Sequence, residues 1–243
     1  MCMRCQQNSG LVSRRALGLF AMSSAALLLA PGANAKEKEK KAPPKPQNVL
    51  SPEAALKRLL KGNERYVDGV ALRHDFRRER EALVGGQNPY AAILSCADSR
   101  IAPEYAFDSS RGDLFVCRVA GNFAADETIA SMEYAVAVLA TPFILVLGHE
   151  ACGAVDATIK SLKDDKPLPG HMPSLVQAIA PAVKVASSKG GDALNNAIRQ
   201  NVIDNVAKLR SSSPILSSAV NDKKLQVAGG IYRLKSGKVE LVD

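Results

Sequence analysis

Short apolar segments recur along the chain, and longer amphipathic segments separate them. The apolar segments contain several β-branched residues and cover 90–94, 113–119, 142–148 and 225–232. Runs of this kind, without alternation of polar and apolar positions, are typical of strands buried on both faces of a sheet. Helical periodicity occupies much of the intervening sequence, at 124–140, 151–162, 174–187 and 192–210. The pattern therefore predicts parallel strands connected by helical crossovers.

The last residues predict a strand that runs in the opposite direction. The segment KVELV (238–242) follows KSG after the fourth apolar run, which is typical of a hairpin. We therefore expect an α/β fold with a mostly parallel central sheet, of about four parallel strands plus one C-terminal antiparallel edge strand, flanked by helices. Within the fourth apolar run, Gly229-Gly230 predicts close packing or a bulge.

A helical arm is predicted before the sheet. In SPEAALKRLLKGNERYVDG (51–69), Ser51 is the expected N-cap and Pro52 occupies the first helical position, followed by apolar residues at helical spacing. A second helix is expected near 75–84, closed by a pair of glycines. Because the first helix is separated from the sheet, we expect its leucines to be buried on a partner subunit. The folded domain is predicted to cover 51–243.

Residues 1–35 have the features of a signal peptide. They contain three arginines, no acidic residue, the apolar run ALGLFAMSSAALLLA and an Ala-x-Ala pattern that ends at Ala35. The pair Arg14-Arg15 before the apolar run resembles a twin-arginine signal. We therefore expect a periplasmic or otherwise exported protein with no membrane span after cleavage; an uncleaved amphipathic or anchoring helix is the alternative. The Lys- and Pro-rich residues 36–50 are predicted to be a flexible linker.

Composition and charge argue against a nucleic-acid partner. The chain of 243 residues has a formal charge of +8, but the first 35 residues and the segment 36–45 each contribute +3, which leaves +2 for the rest. The basic segment RHDFRRER (73–80) places its charges beside acids at helical spacing, which is typical of a solvated helix face. The chain has no tryptophan and 5% aromatic residues, so it offers few stacking partners for bases. We therefore expect no nucleic-acid binding.

Three cysteines remain after the predicted cleavage. The chain has five, of which Cys2 and Cys5 belong to the predicted signal, leaving Cys96, Cys117 and Cys152. An odd count in an exported protein argues against a disulfide framework and favours thiols that are engaged in other ways. Cys117 alternates with an aromatic residue on a predicted buried strand, so we interpret it as a core residue.

Polar groups directly follow two of the predicted strands. SCADSR (95–100) comes after the first, and GHEACG (148–153) comes after the third. Because reactive groups of open α/β sheets gather at the carboxyl ends of strands, Cys96, His149 and Cys152 are expected to converge. A lone cysteine is usually a small core residue and a lone H-x-x-C is weak, but two cysteines and a histidine with an open position are typical of catalytic zinc. We predict one zinc ion per chain.

Asp98 and Arg100 lie beside the first predicted ligand. On an extended turn, residues separated by two positions can face the same side, so the guanidinium can hold the carboxylate in a bidentate pair. Such a carboxylate would sit next to the metal and select among its ligands by hydrogen bonding. The alternative interpretation is a surface ion pair that closes a turn.

These motifs resemble those of the β-class carbonic anhydrases. The family's C-x-D-S-R motif corresponds to residues 96–100, and its H-x-x-C-G motif to residues 149–153. The similarity continues through GDLFVCRVAGN and SMEYAVAVLATPFILVLGHEACGAV. The resemblance implies that Cys96, His149 and Cys152 ligate zinc, and that Asp98 and Arg100 form the catalytic dyad.

The resemblance also assigns substrate-binding positions. Gln87 matches the glutamine that holds bicarbonate in the plant-like, open-site subgroup, Phe115 and Tyr134 match aromatic residues of the narrow cleft, and Gly153 matches the small residue beside the metal. In that family the glutamine and the aromatic residues come from the partner subunit, so a homodimer or higher homo-oligomer is implied. Another subgroup binds bicarbonate at a noncatalytic site that includes a tryptophan, but Ile93 occupies that position here.

The predicted activity is zinc-dependent, reversible hydration of carbon dioxide to bicarbonate and a proton. Two alternatives remain at this point: hydrolysis of carbonyl sulfide or carbon disulfide on the same scaffold, and a noncatalytic zinc-binding scaffold protein. The dyad and Gln87 argue against the second alternative, because a structural zinc would not need them. His74 and His171 are weaker candidates for proton transfer, since each lies in a polar or loop context.

Overall fold

The computed structural model describes residues 48–242. The predictions made for residues 1–35 and for most of 36–50 lie outside this range. One sheet runs through the described chain; its strands are β1 (Ala91–Ser95), β2 (Leu114–Arg118), β3 (Phe143–His149), β4 (Gln226–Tyr232) and β5 (Val239–Val242). Their order is β2-β1-β3-β4-β5, with every pair parallel except β4 and β5. The predicted mostly parallel sheet with an antiparallel C-terminal edge strand is confirmed.

Eight helices accompany the sheet within residues 48–242. They are α1 (Pro52–Val67), α2 (Phe76–Ala82), α3 (Pro103–Ala106), α4 (Asp126–Ala137), α5 (Gly153–Lys163), α6 (Pro173–Ala186), α7 (Ala193–Ser211) and α8 (Ile215–Asn221). The short helices α3 and α8 were not predicted, because neither is long enough to show a clear apolar period. No helix in this range combines the length and the apolarity needed to cross a bilayer.

The central strands are buried on both faces, as their continuous apolar sequences predict. All five residues of β1 and all seven of β3 are buried. Leu94 and Val146 point to a core formed with the crossover helices, which includes Val202 of α7. The neighbouring residues of the same strands, such as Ile93 and Leu145, belong to a second core on the opposite face. The sheet therefore lies between two apolar layers, and its strand ends are the places where polar groups can emerge.

Glycines let α7 approach the sheet closely. A Cβ atom built on Gly229 of β4 would lie 2.6 Å from Val202 Cγ1, and one built on Gly148 of β3 would lie 2.6 Å from Val202 Cγ2. One on Gly230 would lie 3.0 Å from Val239 Cγ1. Side chains at these positions would displace the helix or the neighbouring strand, so the predicted close packing at Gly229-Gly230 is confirmed.

The first helix packs against its own chain. Ser51 is the N-cap of α1, and its side chain accepts a hydrogen bond from Ala54 N, as predicted. Ala55 and Leu59 are fully buried in the second core. Leu59 is therefore buried within its own chain, which differs from the expectation drawn from the sequence, whereas the other two leucines of this face are only partly buried and their burial on a partner stays a prediction. The reason is that α1 contacts β3 and α3 of the same chain, in the second core.

Candidate metal centre

The predicted cysteines and histidine meet where the strand order of the sheet reverses. Cys96 directly follows β1, His149 is the last residue of β3, and Cys152 is the N-cap of α5. The chain passes from β1 to β2 on one side and from β3 to β4 on the other side, so the connections leave these two neighbouring strands in opposite directions and open a crevice at their carboxyl ends. The ligand atoms of these three residues all lie within 4.8 Å of one another. The prediction that these three residues converge, because they follow neighbouring parallel strands, is confirmed.

The environment of the three side chains fits a metal ion. Cys96 Sγ and Cys152 Sγ are 4.0 Å apart, and all three residues are buried. His149 Nδ1 lies 2.9 Å from the backbone oxygen of Glu150, to which it can donate. Nε2 is buried without a hydrogen-bond partner. A buried nitrogen lone pair without a donor is costly, and two sulfurs nearby form the donor set that zinc prefers.

The two thiols influence each other's ionisation. The hydrogen bond from Cys152 lowers the pKa of Cys96, and the hydrogen bond from the Gly121 backbone N–H acts in the same direction, against the effect of burial. The same proximity to Cys96, together with burial, raises the pKa of Cys152. One thiolate is therefore favoured even without a cation, and a dication would favour the second.

Asp98 and Arg100 form the predicted bidentate pair. Arg100 Nε donates to Asp98 Oδ1 at 2.9 Å, and Arg100 Nη2 donates to Asp98 Oδ2 at 2.7 Å. The Arg100 side chain, followed by its backbone N–H and the nearby His149, holds the pKa of Asp98 well below its ordinary value despite partial burial. Asp98 Oδ2 lies 3.9 Å from His149 Nε2. The carboxylate is therefore ionised and lies at the edge of the cluster.

A second arginine, which the sequence analysis did not identify, holds the backbone of this loop. Arg118 at the end of β2 donates from Nε to the carbonyl of Cys96 at 3.0 Å, and from Nη2 to the carbonyls of Asp98 and Ile101 at 2.7 Å each. A guanidinium has five N–H donors and can satisfy several carbonyls at once. The only sequence signal was a charged residue at the end of an apolar strand.

Of the predicted substrate-binding residues, Gly153 lies at the cluster, whereas the other three belong to other segments of the chain. Phe115 of β2 and Tyr134 of α4 have ring centroids 6.3 Å apart, and Tyr134 is 47% exposed. Gln87 is exposed in the segment before β1. Among the residues described, no hydrogen bond joins Gln87 to the cysteine and histidine side chains. Gly153 lies beside Cys152, and a Cβ atom there would meet nothing within 4 Å, so the space next to the cluster is open.

The remaining candidates lie outside the cluster. Cys117 is half-buried on β2 and packs against the main core, and burial raises the pKa of its thiol. His74 Nδ1 lies 3.1 Å from Glu79 Oε1, and its ring stacks on Phe76. His171 is exposed. The interpretation of Cys117 as a core residue agrees with its position, and the suggested proton-transfer role of the two histidines stays a prediction.

Comparison with known proteins agrees with this geometry. The family model described as carbonic anhydrase matches residues 91–239. Carbonic anhydrase 2 of Mycobacterium tuberculosis (strain ATCC 25618 / H37Rv) is 37% identical over 195 residues, which cover 79% of this chain and 94% of that protein. The match therefore extends over nearly the whole relative and includes both motifs of the cluster.

Solved structures share the fold. The β-carbonic anhydrase CcaA superimposes with a TM-score of 0.63 at 28% identity, covering 78% of this chain and 88% of that chain. A tetrameric β-carbonic anhydrase from the filamentous ascomycete Sordaria macrospora superimposes with a TM-score of 0.60 at 22% identity, covering 78% and 94%. The second similarity concerns the fold alone.

Proposed function

The chain belongs to the β-carbonic anhydrase family and catalyses the reversible hydration of carbon dioxide, and from this premise we propose that the reaction takes place at one zinc ion held by Cys96, His149 and Cys152. The observation that carries the proposal is the buried, unpartnered Nε2 of His149 beside two thiol sulfurs. Hydrolysis of carbonyl sulfide or carbon disulfide and a noncatalytic scaffold are not favoured, because relatives that match most of the chain are carbonic anhydrases.

The protein's own groups prepare this site for the reaction. When bound, zinc supplies the Lewis acidity that makes water a nucleophile near neutral pH. The contact between His149 Nδ1 and the Glu150 carbonyl presents Nε2 as the ligand atom. Asp98, which is ionised, can only accept hydrogen bonds, so it favours a species that carries a proton over one that does not. Arg100 keeps both carboxylate oxygens oriented during this selection.

We assign the site to the plant-like, open-site subgroup. Both oxygens of Asp98 are engaged by Arg100, so the carboxylate is held by its partner arginine and is not released to act as a fourth ligand. Gln87 is exposed and available to hold bicarbonate, and the open space beside Gly153 leaves room next to the cluster. These three observations support an open fourth position for substrate.

We further propose that two chains complete the cleft. β2 lies at the edge of the sheet, with residues of apolar character that are only partly buried. Tyr134 and Val138, one helical turn apart, are 47% and 62% exposed. A second copy placed against this edge would cover the apolar side chains and bring Gln87, Phe115 and Tyr134 towards the neighbouring cluster. The homologous fold from Sordaria macrospora is described as tetrameric, which shows that this architecture supports assembly.

Export by the twin-arginine route is proposed for the full chain. The support is the sequence of residues 1–35, with Arg14-Arg15 before a modest apolar run. Replacing both arginines by lysine should leave the precursor inside the cell, whereas unchanged export of a mature form that begins near Lys36 would indicate the general secretory route. Detection of the processed protein in cell fractions is the measurement.

Metal analysis combined with a hydration assay tests the zinc proposal. Cys152→Ser should lose zinc and carbon dioxide hydration together, because serine is a much poorer ligand for a borderline-soft ion. Cys117→Ser is the matched control, since this thiol lies outside the cluster, and it should keep both properties. Full zinc content and full activity in Cys152→Ser would contradict the assignment of the ligands.

A further inference from the structure

A turn between β2 and α4 donates a hydrogen bond to the sulfur of a proposed zinc ligand. The backbone N–H of Gly121 lies 3.3 Å from Cys96 Sγ, and this contact is buried. Gly121 and the following Asn122 have φ angles of +87° and +43°, so the turn does not continue a strand or a helix. The positive φ of Gly121 disfavours other residues, and a Cβ atom there would also lie 2.5 Å from Ile179 Cδ1. The direction of this N–H therefore depends on whatever holds the turn.

Three polar side chains of α7 hold it. Asn201 Nδ2 donates to the carbonyl of Gly121 at 2.8 Å. Asn205 Oδ1 accepts from Ala124 N at 2.7 Å, and Lys208 Nζ donates to the carbonyl of Ala124 at 2.6 Å. We call Asn201, Asn205 and Lys208 the α7 polar ladder. Their spacing places them along one side of the helix, facing the turn.

The ladder is also connected within itself. Asn205 Nδ2 donates to the backbone oxygen of Asn201 at 2.7 Å and lies 3.1 Å from Asn201 Oδ1. Both asparagines are nearly fully buried, at 2% and 6% exposure. Each asparagine side chain is therefore held both by the turn and by the other asparagine.

Packing alone does not explain these residues. Burying an amide is unfavourable unless it is hydrogen-bonded, and a helix that only packs can use apolar side chains there. α7 does so one residue later, where Val202 and Val206 are buried in the main core. The asparagines instead pair with buried polar groups of the turn's backbone. Their placement serves the turn and not the core.

We propose that the α7 polar ladder positions the Gly121 N–H on the sulfur of Cys96 and thereby sets the affinity of the site for its metal. An N–H bonded to a thiolate restricts the orientation of the sulfur and balances its charge, which tunes the metal–sulfur bond. The ladder residues are positioning residues, since they act through Gly121. This inference rests on the proposed coordination of zinc by Cys96.

Asn201→Ala tests the inference in the full-length protein. The variant removes the donor to the Gly121 carbonyl, so zinc affinity measured by competition with a chelator should fall roughly 10- to 100-fold. In the cobalt(II)-substituted protein, the sulfur-to-cobalt charge-transfer absorption should shift, because the environment of one sulfur changes. Arg199→Ala, at an exposed position of the same helix, is the matched control and should change neither quantity.

Melting of the metal-free proteins separates positioning from general stability. If Asn201→Ala lowers the melting temperature but leaves the zinc affinity and the cobalt absorption as in the wild type, the proposal is overturned. If that variant does not fold, Lys208→Met provides the test, because it removes only the hydrogen bond to the Ala124 carbonyl. Its zinc affinity should fall by a smaller factor than that of Asn201→Ala. An unchanged zinc affinity in Lys208→Met overturns the proposal. A wild-type protein that binds neither zinc nor cobalt would instead overturn the zinc coordination, and this inference with it.

Discussion

At the scale of single residues, the most informative contact is the pair of Asp98 and Arg100. Its two hydrogen bonds, of 2.9 and 2.7 Å, use both oxygens of a carboxylate that lies 3.9 Å from the buried His149 Nε2. A surface pair of this kind would contribute little to stability, because solvent screens it. Its place beside the cluster therefore argues for a role in the reaction, in which charge and orientation matter more than binding strength.

Asp98→Asn should separate metal binding from catalysis. The amide occupies the same space but lacks the charge and presents a donor, so zinc content should stay near that of the wild type while hydration falls by about 100-fold or more. The measurement is stopped-flow hydration together with metal analysis. Asp164→Asn, at an exposed residue after α5, should match the wild type. Wild-type rates in Asp98→Asn would show that the pair is only a turn-closing contact.

The low pKa of Asp98 also predicts how acid changes the stability of the protein. Because Arg100 holds this pKa below its unfolded value, the pair contributes stability above about pH 4 and loses it as the pH falls further. The activity of the wild type near neutral pH should therefore show no ionisation step from this carboxylate.

At the scale of elements, the packing of α7 on the sheet links the core to the proposed metal site. The helix places Val202 over the glycines of β3 and β4, and the same helix carries the asparagines that contact the Gly121 turn. A displacement of α7 from the sheet would therefore move those asparagines relative to the turn. Close packing of helix and strand thus determines how accurately the polar contacts are made.

Gly229→Ala should destabilise the protein through this contact. The new methyl group would lie 2.6 Å from Val202 Cγ1 and 3.3 Å from Val206 Cγ2, so the free energy of unfolding should fall by about 1–3 kcal/mol. Gly85→Ala, where a Cβ atom meets nothing within 4 Å, is the control and should stay within about 0.5 kcal/mol.

Urea unfolding of these variants and of Val202→Ala completes a double-mutant cycle. Combining Gly229→Ala with Val202→Ala should cost less than the sum of the two single changes, because the smaller side chain makes room for the new methyl group. Equal unfolding midpoints for Gly229→Ala and Gly85→Ala would show that the helix relaxes without cost, and that its distance from the sheet is not set here.

At the scale of the whole molecule, we propose that a second chain completes the cleft. The cluster is built from β1, β3 and α5, whereas the aromatic pair of Phe115 and Tyr134 belongs to β2 and α4. Partly buried apolar residues on an edge strand invite pairing with another chain. Assembly would therefore be a condition for substrate binding, while the ligands for the metal are all present in one chain.

Val138→Lys tests whether substrate binding needs two chains while metal binding needs only one. The residue is 62% exposed, so the substitution leaves the folded chain intact but places a charge on the surface proposed to face the partner. We expect a monomer that keeps zinc and loses most hydration activity, measured by light scattering, metal analysis and stopped-flow assay. Val185→Lys, at a valine that is 50% exposed on α6, is the matched control and should remain associated and active. A fully active monomer would refute the shared cleft.

The sequence by itself determined the sheet, its crossovers and the gathering of Cys96, His149 and Cys152 at strand ends. This was possible because apolar periodicity reports burial, and parallel strands bring their carboxyl ends to one edge. The spacing of Asp98 and Arg100 likewise predicted a local contact, since two residues in one turn have few ways to meet.

Only the tertiary structure decided which distant residues support that site. Arg118 reaches the 96–101 loop from β2, and Asn201 reaches Gly121 across 80 residues of sequence. It also placed Leu59 in the core of its own chain. A periodic pattern shows which side of an element is buried but not which element covers it, and a buried amide is indistinguishable from an exposed one until its partner is known. The partners are set by how helices and sheet pack together, which no local pattern encodes.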